Sequence, residues 1–411
     1  MFRNRCQPAN STQHLPQGQG LTRHSNSTEV PRPRPGLLLW RSPMQQKHVS
    51  HLPQTRPVAR RTRAVLVAAF SALFVLTGCA SRPGPETLLP VANMPDSSAN
   101  LTLLTATDRA LSSIDPPNYG SERSAMSYEE YQLRVDVSDP DPRKQPDITV
   151  AERRRFGRAA FLQTLNKMQR GRNGTVILFV HGYNNTYQEA IMRLAGMAAE
   201  SRVNAVPVVF SWPSAASVTG YVSDRDSSTY ARDDLTALLT DLATASPDSN
   251  VMVIGHSMGG WLVMEALREL RQTGRDDVIS HLQVGLASPD IDLDVFAKQI
   301  GDVGPLDPPL TVLAASDDRA LAASARVSGG KPRLGAVNPA DPVIQAFAQQ
   351  AGVRLIDISA LPSSGRANHD RFLALASLRA PDTQANPLQE LRSAGGYVLG
   401  SAGRILSYGA R

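Results

Sequence analysis

The chain has 411 residues, 41% hydrophobic and 19% charged, which suffices for a sizeable core in one large domain or two small ones. Its net charge of +6 belongs to residues 1–78, where 11 Lys and Arg face the single acid Glu29; the remainder carries 32 bases against 36 acids. A mildly acidic body argues against nucleic acid as a partner, because counterion release needs clustered Lys and Arg. The two cysteines, Cys6 and Cys79, leave the body neither a disulfide framework nor a cysteine-rich zinc site.

Residues 1–57 are rich in Pro, Gln, Ser, Arg and His, with one short apolar run at 37–40. Such a segment buries too little to offset its chain entropy, so the expectation is disorder. Arg60-Arg61-Thr62-Arg63 then precedes an apolar core over 64–76, interrupted only by Ser71. That core is too short to span a bilayer and has the size of a signal-peptide core behind a charged front. Its end, Leu76-Thr77-Gly78-Cys79-Ala80-Ser81, resembles the lipobox of bacterial lipoproteins, which implies that Cys79 is lipidated and becomes the mature N-terminus. A lipidated Cys79 anchors the body to a membrane without a spanning helix. By the same resemblance to lipoproteins, Ala80 rather than Asp beside it implies sorting to the outer membrane in a cell with two membranes. A front of 63 residues is longer than a signal needs, so the expected start lies downstream, at Met44 or a start codon read at Val58, with a disordered extension as the alternative.

Residues 58–78 thus read as signal peptide and 79–100, with Pro83, Pro85, Pro90 and Pro95, as lipidated cysteine and tether. From 101 onward, apolar runs of strand length recur at 101–106, 133–137, 176–180, 206–210, 251–254, 282–287, 310–315 and 353–358. Helix-period stretches lie between most of them, at 187–201, 230–245, 260–272, 293–300 and 342–351. Continuous rather than alternating apolar strands, separated by helices, predict a mostly parallel sheet covered on both faces, in one α/β domain over 101–380. The first two runs are separated by a polar loop and can pair antiparallel at one edge. Residues 213–229 read as a solvated loop or a pocket lining, and 381–411 as a Gly-rich tail.

The run 251–254 leads into Gly255-His256-Ser257-Met258-Gly259-Gly260, after which Trp261, Leu262, Met264 and Leu267 start a helix pattern. This is G-x-S-x-G between strand and helix, the context of a nucleophile elbow. Ser257 needs a strained turn, and Gly255 and Gly259 let strand and helix approach. The helix start directs the Met258 N–H at the site as one oxyanion donor. The run 176–180 is followed by His181-Gly182-Tyr183-Asn184-Asn185, where the Tyr183 N–H is the expected second donor and Asn184 the alternative. The same turn also reads as a helix cap through Asn184, Asn185 or Thr186.

Four histidines follow Cys79. His256 adjoins the nucleophile and is expected to point away from it, His181 lies in the oxyanion loop, and His281 precedes a strand, at the wrong edge for a site gathered at strand carboxyl ends. His369, on the loop after the last strand, remains as general base and satisfies the order Ser, acid, His. The acid that orients it is expected at Asp318 after the run 310–315, with Asp317 the near alternative and Asp290 the more distant one. Each could instead cap a helix.

Together, Phe179-Val180-His181-Gly182-Tyr183-Asn184, Phe210-Ser211-Trp212-Pro213, residues 255–259, Ser288-Pro289-Asp290 and Asp318-Arg319-Ala320-Leu321 resemble an uncharacterised bacterial α/β-hydrolase family known as a domain of unknown function. The resemblance spans about 100–375. It implies a lipase/esterase-like fold and a Ser257–Asp318–His369 triad, and it favours Asp318 over Asp317. The resulting expectation is a lipid-anchored serine hydrolase that needs no cofactor or metal and cleaves a small acyl ester or a lipid. A binding scaffold without turnover and an acyltransferase with the same triad are the alternatives.

Overall fold

The computed structural model describes residues 82–91, 99–139, 141 and 143–376. The expected leader, the signal peptide, Cys79, the last residues of the expected domain (377–380) and the Gly-rich tail over 381–411 lie outside them. Among the described residues no helix is long and apolar enough to cross a membrane.

Nine strands form one sheet in the order β3-β2-β1-β5-β4-β6-β7-β8-β9. They are β1 (Ala99–Ile114), β2 (Pro117–Asp136), β3 (Asp147–Phe156), β4 (Thr175–Val180), β5 (Val206–Ser211), β6 (Asn250–His256), β7 (Leu282–Ala287), β8 (Thr311–Ala314) and β9 (Arg354–Asp357). From β1 to β9 every neighbouring pair is parallel, while β2 and β3 add an antiparallel edge. The expected antiparallel pair is β1–β2, but β1 lies inside the sheet between β2 and β5.

The continuous apolar strands are explained by cover on both faces. Successive side chains alternate across the sheet. Val176, Leu178 and Val180 of β4 join one core cluster with Leu104, Val208, Val253 and Val284. Ile177 and Phe179 join the other with Leu103, Val209 and Met252. The first face is covered by helices α1 (Arg158–Arg170), α4 (Arg232–Thr244), α5 (Met258–Gln272) and α7 (Leu293–Val303), through Phe161, Leu235, Leu267 and Phe296. The second is covered by α2 (Tyr187–Ser201), through Ile191 and Leu194, and by Phe372.

The helices at 158–170 and 319–327 were not read from the sequence, and three further elements depart from that reading. β3 carries no apolar run; it is an edge strand whose Arg153 and Arg154 pair with Glu129 and Glu130 of β2. The Arg154–Glu130 pair lies toward water, as suits an edge, whereas Glu129 is fully buried and also accepts from the hydroxyls of Tyr119 (3.0 Å) and Tyr187 (3.2 Å). Residues 213–229 are not one loop, since α3 (Tyr221–Tyr230) occupies their second half and α4 begins only at Arg232. The expected tether, finally, is not free over residues 82–91. Pro85–Leu88 forms a short 3-10 turn, Leu88 is fully buried, and the Val91 N–H donates to the Val150 carbonyl at 2.9 Å. The short helices α6 (Asp276–Ile279), α8 (Arg319–Val327) and α9 (Pro342–Gln350) complete the crossovers.

Candidate active site

β6 ends at His256 and α5 starts at Met258, so Ser257 alone makes the turn, at φ 54° and ψ −121°. A side-chain-bearing residue there costs on the order of 1–3 kcal/mol and persists only if its surroundings hold it. They do so at both ends of the residue. The Ser257 N–H donates to the Ala287 carbonyl at 2.9 Å, and its own carbonyl accepts from Gly260 at 3.0 Å and from Asp290 at 3.1 Å. Met258 is the first residue of α5, so its N–H has no acceptor within the helix and lies beside Ser257.

Two glycines let the β4 loop lie against this turn. A Cβ on Gly182 would come within 2.7 Å of the Ser257 Cβ and 3.0 Å of the His256 carbonyl. One on Gly259 would meet the carbonyls of Val180 and His181 at 2.4 Å. Gly259 therefore serves the contact with the end of β4, whereas Gly255 lies against Gly260 and admits the helix to its own strand.

Past Gly182, the Asn184 N–H donates to Asp224 Oδ2 at 3.0 Å, which occupies the alternative oxyanion donor. Among the described residues none accepts a hydrogen bond from the Tyr183 N–H. The Tyr183 hydroxyl donates to the Val218 carbonyl and its ring meets Tyr221 edge-on. The cap expected in this stretch is Thr186, which forms a capping box with Glu189 at the start of α2.

His369 Nδ1 lies 2.7 Å from Asp318 Oδ2. Asp318 also caps α8, its Oδ1 accepting from the Leu321 N–H at 3.0 Å, so one buried carboxylate fills both roles considered for it. Asp317 points elsewhere and holds Arg371 through both oxygens, one contact at 2.7 Å. Asp290 is buried and accepts from Ser324 at 2.6 Å and from Tyr221 at 2.9 Å, beside Arg333. Of the three acids weighed from the sequence, Asp318 alone is in contact with His369.

The other histidines are accounted for. His281 Nδ1 donates to the Ser249 carbonyl at 2.7 Å, at the amino edge of β6 and β7. His256 lies under the His369 loop, between the rings of His369 and Phe372, each 4.7 Å away, with Nε2 directed at the His369 carbonyl at 3.3 Å. Burial, reinforced by His369 and Arg193, keeps it well below the usual imidazole range and hence neutral. His181 is neutral for the same first reason, burial, followed by the charge of Arg109. Its Nδ1–H donates to the Gly182 carbonyl at 2.8 Å, and Nε2 faces Ser211 Oγ at 3.1 Å.

Arg109 itself was not singled out from the sequence, yet it organises this end of the sheet. It is fully buried and donates to Ser211 Oγ (3.0 Å) and to the carbonyls of Gly120 (2.9 Å), Ser214 (3.0 Å) and Asn185 (2.8 Å). Burial lowers its pKa to about 10, which still leaves it charged. One rigid fork thus joins β1, the β5 loop and the β4 loop that carries Tyr183. The only sequence signal was an Asp108-Arg109 pair just behind the apolar run 101–106.

A mostly parallel sheet with a strained serine turn between β6 and α5, and an Asp–His pair from the loops after β8 and β9, defines an α/β-hydrolase. The chain belongs to the family described as alpha/beta hydrolase of unknown function (DUF900), which matches residues 158–385. It is also 41% identical, over 63 residues, to the uncharacterized protein alr1448 of Nostoc sp. (strain PCC 7120 / SAG 25.82 / UTEX 2576). That stretch is 15% of this chain and 16% of the relative, so the chain matches about one sixth of that protein's length.

Proposed function

We propose that the protein is a lipid-anchored serine hydrolase that cleaves carboxylic esters. The observation that carries this reading is the 2.7 Å Asp318–His369 contact on a loop packed against the residue preceding the strained Ser257. In the first half-reaction Ser257 Oγ attacks the acyl carbon while His369 Nε2 takes its proton. Asp318 fixes the His369 tautomer with hydrogen on Nδ1 and stabilises the imidazolium. The carbonyl oxygen becomes an oxyanion held by the N–H groups of Met258 and Tyr183. Collapse expels the alcohol, which leaves with the proton from His369. Water then repeats the sequence on the acyl-enzyme, releases the acid and restores Ser257.

Lipidation at Cys79 would hold this chemistry at the cell envelope, on the outer membrane where two membranes exist. The test is labelling by a fluorophosphonate probe of the mature chain in detergent, beside Ser257→Ala and His369→Ala. Labelling of the parent that vanishes in both variants, with hydrolysis of short acyl esters reduced by ~10⁴-fold or more, is the expected result. A folded parent that takes no label overturns the catalytic reading and leaves a scaffold. Ester turnover that requires an added alcohol acceptor indicates an acyltransferase.

A further inference from the structure

Arg82 is the first described residue, and it is fixed on the rim of the site. Its guanidinium donates to Glu189 at the start of α2 (2.9 Å), to Asn184 Oδ1 (2.9 Å) and to the Ala216 carbonyl (2.8 Å). It therefore clamps the β4 loop next to Tyr183 onto the β5 loop. The chain behind it is held as well, since Gln188 donates to the Pro83 carbonyl at 2.8 Å and Leu88 is buried. Cys79 precedes Arg82 by three residues, and three fully extended residues reach about 11 Å at most.

The same rim carries exposed apolar side chains. Four large hydrophobic residues among the described ones are about 70% exposed or more, Val218 (78%), Val222 (70%), Val327 (69%) and Ile114 (68%), and the first two lie on this rim within five residues of each other. Val218 lies two residues beyond the carbonyl that Arg82 holds, and its own carbonyl accepts from the Tyr183 hydroxyl. Val222 follows in the first turn of α3, next to Tyr221, whose ring meets Tyr183. Anchor attachment, exposed valines and the expected oxyanion donor thus share one end of the sheet.

We infer that this rim rests on the membrane leaflet that holds the Cys79 lipid, with Val218 and Val222 against the acyl boundary, so that the substrate is an acyl ester carried by a lipid of that leaflet. An anchor attached by a long free tether would let the site face any direction. One attached within at most about 11 Å of a clamped rim limits the faces that can be presented to the bilayer to those around Arg82. The substrate assignment rests on the serine-hydrolase reading; the orientation rests on the lipidation of Cys79 and not on catalysis.

The test uses the lipidated full chain in phospholipid vesicles. Val222→Trp is expected to lose at least half its added emission to brominated lipids, while Gln272→Trp, exposed at the end of α5 farthest from Ser257, keeps its emission. A second variant inserts twenty Gly/Ser residues between Ser81 and Arg82, letting the anchor stray by ~25 Å. It is expected to cut turnover of a vesicle-borne fluorogenic acyl lipid at least tenfold and leave a short water-soluble ester unaffected. An unlipidated Cys79, equal quenching at both tryptophans, or full turnover of vesicle lipid despite the insertion overturns the inference. Selective quenching in a protein that cleaves no ester upholds the orientation and removes the hydrolase reading alone.

Discussion

Asp317 and Arg371 form a two-point ion pair that brackets the Asp318–His369 contact, one residue before the acid and two after the histidine. Asn368 adds a bond to Asp317 Oδ2 at 3.0 Å, and the Arg319 N–H donates to the Ala367 carbonyl at 2.9 Å. The loop after β9 is thereby fastened to the loop after β8 on both sides of His369.

The neighbouring acids should therefore differ sharply on substitution. Asp318→Asn is expected to lower kcat on a short ester ~10⁴-fold, because an amide at that position favours the wrong histidine tautomer. Asp317→Asn should cost only ~10-fold by loosening the loop, within the range for a displaced rather than lost group. Equal losses in the two variants would contradict the assignment of roles. The Arg371 hydrogen bonds hold the Asp317 carboxyl below its ordinary range, so this clamp persists through mildly acidic pH and is lost only as pH falls through that lowered value.

Gly182→Ala places a methyl group where the Ser257 Cβ and the His256 carbonyl already sit. The β4 loop must withdraw and carry the Tyr183 N–H with it. Turnover should fall ~10²–10³-fold, the loss typical of one oxyanion donor. Near-parental circular dichroism alongside that loss would separate a displaced loop from an unfolded protein.

Arg109→Met removes the fork from four acceptors, three of them on the buried residues Ser211, Ser214 and Asn185. Leaving such groups unpaired should destabilise the fold by about 2–4 kcal/mol, read as a lower urea midpoint. Arg109→Lys should recover little, since an ammonium cannot span acceptors on three segments. A midpoint unchanged in the methionine variant would show that the network contributes nothing net.

Asp108, the neighbour of Arg109 on β1, is fully buried, and neither carboxylate oxygen bonds another described residue. Burial, then the charge of Asp234, raises its pKa to about 7. The folded protein thus binds a proton that the unfolded chain releases near pH 4. The stability this supplies is complete below about pH 4 and is lost as pH rises through about 7. Asp108→Asn should flatten the fall in stability between pH 5 and pH 8 by on the order of 1–3 kcal/mol, measured by denaturant titration at each pH.

The strands and the serine turn were legible because their causes are local. Apolar runs at 176–180, 206–210 and 282–287 lie within a residue of β4, β5 and β7, and the glycines around Ser257 announce a turn that sterics demand. β3 was illegible because its stabilisation is charged: Arg153 and Arg154 read as solvated residues until Glu129 and Glu130 lie beside them. α3 escaped notice because its polar run, Ser223 to Thr229, has no apolar helical period: the residues it buries at helical spacing are Asp224, Ser227 and Ser228 instead of aliphatic ones.

Local periodicity and backbone sterics thus specified the layers, the parallel core of the sheet and the position of the turn at Ser257. Pairings between distant residues settled the rest: Asp318 rather than Asp317 against His369 across 51 positions, Arg109 under the loop of His181, and Arg82 clamped to Glu189 across 107 positions. A side chain's neighbours at such separations depend on how the whole chain closes. Hydrogen-bonding capacity is the same in a solvated aspartate as in a buried one, and only the fold determines which acceptor each donor meets.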